Sequence, residues 1–315
     1  MDHFSIDIGG HGDLDRYPRD LGMPSRYPRD LDMPSRYPRD LDTLRDSDKI
    51  FRQPRSRTES GIPKIFMQTW KNNDVPERWK ESPIAVKKHM PGYKYFLMTD
   101  EDNRNFCEKH FPDFLPYYDA FPHPIQRADA IRYMWLYING GIYMDLDMLL
   151  KGNLDHLFAS NADVYLVPSG NIHSCYTNAF MASKPGCRLW LEAIEEMKTT
   201  LPYFKTMTKH IYVMHSTGPM MLTRAANKTT IPIMTLPSTL LTPYSVCDDY
   251  TVEKAGTLIQ PLEGSSWCGA DTSFYLWWFC NWKPVVWGVI IILVIILLFF
   301  LIFGLDNYCT SGHFC

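Results

Sequence analysis

From Val285 to Leu305 no charged residue interrupts a run of Val, Ile, Leu and Phe, at about the length a helix needs to cross a bilayer. Central Leu, Ile, Phe and Val each favour insertion by roughly 0.3 to 0.6 kcal/mol, so the summed preference is on the order of several kcal/mol. Trp277, Trp278, Trp282 and Trp287 crowd the entrance and Tyr308 follows the exit, as amphipathic rings do at the two membrane interfaces. The run therefore predicts a transmembrane helix over 284–305 and a short tail over 306–315, in preference to the buried helix of a soluble core. Lys283 is the nearest basic residue, and Met1 to Gly10 has neither the basic start nor the apolar stretch of a leader. By a margin of one charge, these features place the main domain on the cytosolic side.

The other end is built differently. Arg16-Tyr-Pro-Arg-Asp-Leu-Gly-Met-Pro-Ser25 is followed by Arg26-Tyr-Pro-Arg-Asp-Leu-Asp-Met-Pro-Ser35 and Arg36-Tyr-Pro-Arg-Asp-Leu41. Two prolines per full unit forbid a continuous helix or central strand, and alternating Arg and Asp keep the segment solvated. Residues 1–60 are thus expected to form a disordered arm, serving as a linker or as a docking arm for a partner or anionic lipid. One catalytic-sized domain, 61–283, is left between the ends. The formal net charge of −3 supplies no field to recruit nucleic acid. Eight cysteines begin at Cys107 with no Cys-x-x-Cys pair, which argues against a zinc knuckle. Their even number suits disulfides in a secretory lumen and equally suits reduced core thiols facing the cytosol.

Within the central domain, Ile65 to Met67 and Tyr93 to Met98 read as short strands and Ile125 to Ile138 as a helix ended by Gly140-Gly141. Gly141 to Met148 reads as a buried strand, and a helix is expected over 184–198. Strands alternating with helices predict an α/β fold with a mostly parallel sheet.

On such a strand Asp145 and Asp147 point to one face. At about 6 Å and an effective dielectric near 20 their repulsion is roughly 3 kcal/mol, which a divalent cation would offset. Hard oxygen ligands suit Mg²⁺ or Mn²⁺, shared between one or two carboxylates and substrate phosphates. A lone Asp-x-Asp is also an ordinary solvated strand end. The preceding helix adds weight: Asp129 and Arg132 share one face of it, opposite the apolar Ile131, Trp135 and Ile138, as suits recognition of sugar hydroxyls.

Four ordered segments, Ile62-Pro-Lys-Ile-Phe-Met-Gln-Thr-Trp-Lys71, Ala128-Asp-Ala-Ile-Arg132, Tyr137-Ile-Asn-Gly-Gly-Ile-Tyr-Met-Asp-Leu-Asp147 and Ser216-Thr-Gly-Pro219, together resemble the sugar-binding-region "DXD" glycosyltransferase family. That family includes fungal α-mannosyltransferases of Golgi glycans and of inositol-phosphoceramide, with the clostridial glucosylating toxins as distant kin. The resemblance runs from Ile62 to about Asp271. It implies a GT-A-like (Rossmann-like, nucleotide-sugar-binding) domain, a divalent metal, usually Mn²⁺ with Mg²⁺ as the alternative, and transfer with retention of configuration. Asp147 would bind metal and diphosphate, Asp145 ribose or metal, and Asp129 with Arg132 the sugar's hydroxyls. Gln68, Thr69 and Trp70 would border the nucleoside. Ser265, Trp267 and Asp271 would belong to a closing loop over the diphosphate, although the family's His ahead of that loop is replaced here by Gln260-Pro261. Asn178 matches either a family Asn near the donor or an ordinary helix cap.

Two other readings compete. An aspartate phosphatase would continue Asp-x-Asp-x-Thr on the first strand of its domain, whereas Leu149 fills the Thr position and an αβ region precedes the motif. A catalytically inactive membrane-anchored adaptor would use the same fold without chemistry, yet the acid pair, Arg132 and Trp267 are all intact. The expectation is a hexosyltransferase acting in the Golgi or ER membrane, moving mannose from GDP-mannose to a lipid or glycan acceptor such as a sphingolipid. Which side of the membrane the domain faces is left open: the resemblance implies the lumen, the charge margin the cytosol, and the sequon Asn227-Lys-Thr229 distinguishes them.

Overall fold

The computed structural model describes residues 61–169, 175–200, 204, 206–249, 252 and 254–310. The decapeptide-repeat arm, 1–60, and the end of the tail, 311–315, lie outside them.

Strands β1 (Ile65–Thr69), β2 (Lys94–Met98), β3 (Gly141–Met144), β5 (Val164–Pro168), β6 (Tyr176–Ser183) and β7 (Met234–Thr235) form one sheet in the order β2-β1-β3-β6-β5-β7. A short antiparallel pair, β4 (Met148–Leu150) with β8 (Ile259–Pro261), forms a second sheet. The expected α/β class and largely parallel sheet are found: β6 alone runs against its neighbours β3 and β5.

Alternation along the strands divides the core into two layers. Met67, Tyr143, Leu166 and Met181 face one cluster, which is completed by α4 (Pro124–Asn139), α5 (Arg188–Thr200) and α7 (Pro219–Lys228). Phe66, Ile142, Met144, Tyr165 and Phe180 face the other, with Val86 of α1 (Glu81–His89) and Leu241 of α8 (Ser238–Leu241). Helices α2 (Asp100–His110) and α3 (Leu115–Ala120) add Cys107 and Tyr118 to the first cluster, and α6 (Lys209–Ser216) packs beside α7. Gly140-Gly141 ends α4 as expected, and both residues have positive φ. A Cβ on Gly141 would lie 2.5 Å from the Ile65 carbonyl oxygen, so only glycine lets β3 enter the sheet beside β1 there.

Three expectations are corrected. Strand β3 stops at Met144, and Asp145 to Asp147 form a turn leading into β4, so the acids are not successive same-face positions of one strand. Helix α5 begins at Arg188, because Lys184-Pro185-Gly186 forms a turn in which Gly186 has φ of +74°. Asn178 lies inside β6, which excludes the helix-cap reading.

The last element, α9 (Ala270–Thr310), is continuous for 41 residues and accommodates Pro284 without a break, about 60 Å at ~1.5 Å per residue. It begins well before the expected boundary at residue 284. It is long and apolar enough to cross a membrane, and no part of its apolar window is buried against the protein, as a soluble core helix would be. Cys280 on this helix is disulfide-bonded to Cys247, while Cys107, Cys175 and Cys187 are buried free thiols and Cys268 an exposed one.

Candidate active site

The acidic turn sits at the carboxyl ends of β1 and β3, where open α/β sheets place their ligands. Its main chain is tied at three points, and the first residue of β4 at a fourth. The Asp145 amide donates to the Ala179 carbonyl at 2.8 Å, and the Leu262 amide to the Asp147 carbonyl at 2.7 Å. Gln68 Nε2 donates to the Asp145 carbonyl at 3.2 Å and to Ser82 Oγ at 2.9 Å, and Ser82 Oγ in turn donates to the Met148 carbonyl at 2.6 Å. Gln68 is fully buried, with Tyr95 OH donating to its Oε1 at 2.9 Å.

Arg132 is the hub beneath the turn. Its Nη1 donates to Asp145 Oδ1 at 3.0 Å and to the Asn178 carbonyl at 2.8 Å, Nε donates to the Ala128 carbonyl, and Nη2 lies 2.8 Å from Asp129 Oδ1. The guanidinium also sits 4.7 Å from the centre of the Tyr143 ring, whose hydroxyl donates to Asp145 Oδ1 at 2.5 Å. Asp129 is as fully engaged: Asn178 Nδ2 donates to its Oδ1 at 3.0 Å and Thr217 Oγ1 to its Oδ2 at 2.8 Å. Both side chains are nearly inaccessible, at 3% and 5% exposure, whereas Asp145 keeps 28%.

Burial works against the Arg132 charge, but Asp145, Tyr143 and Asp129 overcome it and hold the group more basic than an ordinary arginine. Burial raises Asp145 against the pull of Arg132 and Tyr143. Asp129 is pushed up to about 6 by burial, and Asp147 to about 7 by burial and then by the Asp145 charge. Two adjacent carboxyls resisting ionisation leave room for a cation. Among the described residues no group of three or more His, Cys, Asp and Glu converges to form a complete metal cage. Asp145 Oδ2 accepts no hydrogen bond from a described residue. A pair of carboxylates with open valences fits a Mg²⁺- or Mn²⁺-type ion that draws its other ligands from phosphate and water.

The structure thus brings Gln68, Asp129, Arg132, Asp145 and Asn178 into one connected network with Asp147 at its open end. Thr69 Oγ1 is turned aside, donating to the Met98 carbonyl at 2.9 Å, and Trp70 meets Trp79 edge to face at 5.0 Å. Ser265, Trp267 and Asp271 belong to a second cluster around α6. Lys209 Nζ donates to the Trp267 carbonyl at 2.6 Å, Trp267 stacks on His210 at 5.6 Å, and Asp271 Oδ2 accepts from the His210 amide at 2.7 Å. That last bond is the main reason Asp271 stays below the usual carboxylate range. An imidazole therefore does lie against this loop, supplied by His210 from far away in sequence. Ser265 is exposed and its Oγ accepts from the Trp267 and Cys268 amides. Sequence reasoning passed over Ser82, Tyr143 and Thr217 as parts of the site. Tyr143 and Thr217 stand inside the four motif segments; Ser82 carries no local signal.

A family model described as the glycosyltransferase sugar-binding region containing the DXD motif matches residues 76–163. Inositol phosphoceramide mannosyltransferase 1 of Schizosaccharomyces pombe is 30% identical over 233 residues, 71% of this chain and 68% of that protein. The chain belongs to this DXD glycosyltransferase family. Mannosyltransferase 3 of the same series and organism is 36% identical over 180 residues, 57% of this chain, and the match spans about half of that relative, 49%. Mannosyl phosphorylinositol ceramide synthase SUR1 of Saccharomyces cerevisiae is 37% identical over 161 residues, 51% of this chain and 41% of its own length. Among solved structures, PaToxG glycosyltransferase overlaps with a TM-score of 0.42 at 17% identity, covering 53% of this chain and 70% of that one.

Proposed function

We propose that this chain is a membrane-anchored, metal-dependent, retaining hexosyltransferase that moves mannose from GDP-mannose to a lipid acceptor of the inositol-phosphoceramide kind. The observation that carries the reading is the Asp145-Leu146-Asp147 turn, fixed along its main chain and backed by a buried arginine. Such a site is preorganised for a charged ligand before the ligand arrives. The sugar and acceptor are taken from the names of the relatives.

In this reading Asp145 and Asp147 hold the divalent ion, Mn²⁺ in the first instance, which when bound offsets charge on the departing diphosphate. Asp129, Arg132 and Asn178 act as one positioning unit that sets Asp145 and forms the floor under the sugar. Asp129 is too enclosed and too fully bonded to serve as a covalent nucleophile. Trp70 and Thr69 border the nucleoside, Gln68 supports the turn from behind, and Ser265 with Trp267 covers the donor from the loop that Asp271 anchors to α6. The division of labour is an arm over 1–60, a catalytic domain over 61–283, a span over 284–305 and a tail over 306–315.

The segment after that loop supports a lipid acceptor. Phe274, Trp277, Trp278 and Trp282 are all exposed on the first turns of α9, between the loop and the apolar span. Rings of this kind favour the headgroup layer, and the 14 residues from Ala270 to Lys283 cover only about 20 Å as helix. In this reading a headgroup at that layer lies within about 20 Å of the start of α9, where the Ser265–Asp271 loop ends.

The test uses the full chain in nanodiscs with Mn²⁺, GDP-mannose and inositol phosphoceramide, with the product read by mass spectrometry. The added mass of one hexose on the lipid is expected from GDP-mannose and not from UDP-glucose or UDP-galactose. Transfer from another donor would replace the sugar, and a folded protein that consumes none of them would be the inactive adaptor.

A further inference from the structure

We propose that Arg78 is the chain's own cation for the donor's diphosphate, held beside the acidic turn by Trp79 and Gly264. The proposal rests on the donor-binding reading above and adds to it a residue that none of the motifs includes. Arg78 is exposed, and among the described residues no carboxylate lies within ion-pair distance of it. A free surface arginine would normally be mobile, but this one is placed. Its guanidinium lies 4.6 Å from the centre of the Trp79 ring. That ring is itself fixed, being only 1% exposed, with its indole N–H donating to the Glu263 carbonyl at 3.0 Å and the edge of Trp70 against it.

Gly264 completes the seat. It has φ of +93°, and a Cβ there would stand 2.8 Å from Arg78 Cζ and 3.0 Å from Nη1. The absence of a side chain at 264 is what lets the guanidinium lie against the loop. Two residues earlier, the Leu262 amide donates to the Asp147 carbonyl, so a main-chain hydrogen bond ties the arginine's seat to the acid turn. Arg78 lies close enough to Asp147 for the two charges to attract.

A planar guanidinium with its fork unused, stacked on a fixed aromatic ring next to a two-carboxylate cation site, matches a diphosphate in both charge and shape. The diphosphate would be held from one side by the cation on Asp145 and Asp147 and from the other by Arg78. Because the stacking has already restricted the side chain, little rotamer freedom is left to lose on binding.

The experiment measures binding of GDP and UDP, and of guanosine and uridine, to the full chain in detergent with Mn²⁺ present, for wild type, Arg78→Ala, Arg78→Lys and Gly264→Ala. Arg78→Ala should weaken the preferred nucleoside diphosphate by roughly tenfold to a hundredfold, the range for a charged hydrogen-bonding group, and leave its nucleoside unchanged. Arg78→Lys should restore part of the loss, and Gly264→Ala, which displaces the guanidinium, should reproduce it. Equal loss of nucleoside and nucleoside diphosphate in Arg78→Ala would show that Arg78 merely supports the Trp79 ring, and unchanged diphosphate binding would overturn the assignment outright. If wild type binds neither nucleoside diphosphate, the donor-binding reading and this assignment fall together.

Discussion

At the scale of single residues, the buried pair Asp129 and Arg132 decides how the acid turn is presented. Breaking a buried pair by removing one partner costs about 3–5 kcal/mol, because the remaining charge is stranded. Arg132→Leu should therefore destabilise strongly, with a characteristic pH dependence. The carboxyl of Asp129 is already raised to about 6 in the fold against an ordinary value of 3.8, so its ionisation costs stability that is absent below the lower value and complete above the higher. Removing Arg132, which pulls that value down, widens the window upward. The loss in thermal unfolding temperature should accordingly be larger at pH 8 than at pH 5, where Asp129 escapes by taking a proton. An equal loss at both pH values would mean that Arg132 is not what keeps Asp129 charged.

At the scale of elements, the strand-turn-strand unit β3 to β4 rests on Gly141. Alanine there faces both a positive φ of +89° and a Cβ only 2.5 Å from the Ile65 oxygen, whereas Gly186 has φ of +74° but nothing within 4 Å. Backbone strain alone costs on the order of 1–3 kcal/mol. Gly141→Ala should lower the melting temperature clearly more than Gly186→Ala, and a reversed order would contradict the close approach of β3 to β1. Much of this unit is legible in the sequence: α4, its stop at Gly140-Gly141, and strands β1 and β2 follow from apolar periodicity and turn chemistry. The turn is not, because Leu146 and Met148 continue the alternation of β3. What ends the strand is tertiary: the Asp145 carbonyl is taken by Gln68 while the Ala179 amide turns to Thr177, and the Asp145 side chain is held by Arg132, partners that periodicity cannot announce. Helix α5 starts late for the same kind of reason, since Lys184-Pro185 looks like a first turn until Gly186 reverses the chain. Asn178, Thr217, His210 and Arg78 act across long sequence separations, so only the folded chain shows what they touch.

At the scale of the whole molecule, α9 runs from the domain into an apolar stretch long enough to cross a membrane, and the bond between Cys247 and Cys280 fastens the domain's 245–249 segment to that helix, 33 residues along the chain. Such a bond persists in an oxidising compartment, so a lumenal domain would keep it and a cytosolic one, the side preferred by a margin of one charge, would not. Asn227 is exposed at the end of α7, open to modification. Endoglycosidase treatment of the protein from a fungal host should reduce its apparent mass, and Asn227→Gln should abolish that shift. A mass that does not change, with Cys247 and Cys280 both open to alkylation, would place the domain in the cytosol.

The central claim is that the Asp145-Leu146-Asp147 turn binds a metal–nucleotide-sugar complex for transfer. It is tested most directly by titrating Mn²⁺ into the full chain in detergent with GDP-mannose and following GDP release, for wild type and Asp147→Asn. Release that requires metal in wild type and drops at least about a hundredfold in Asp147→Asn, with folding intact, is the predicted result, in line with removal of one charge-stabilising group. Metal-independent release, or an Asp147→Asn protein as active as wild type, would contradict it.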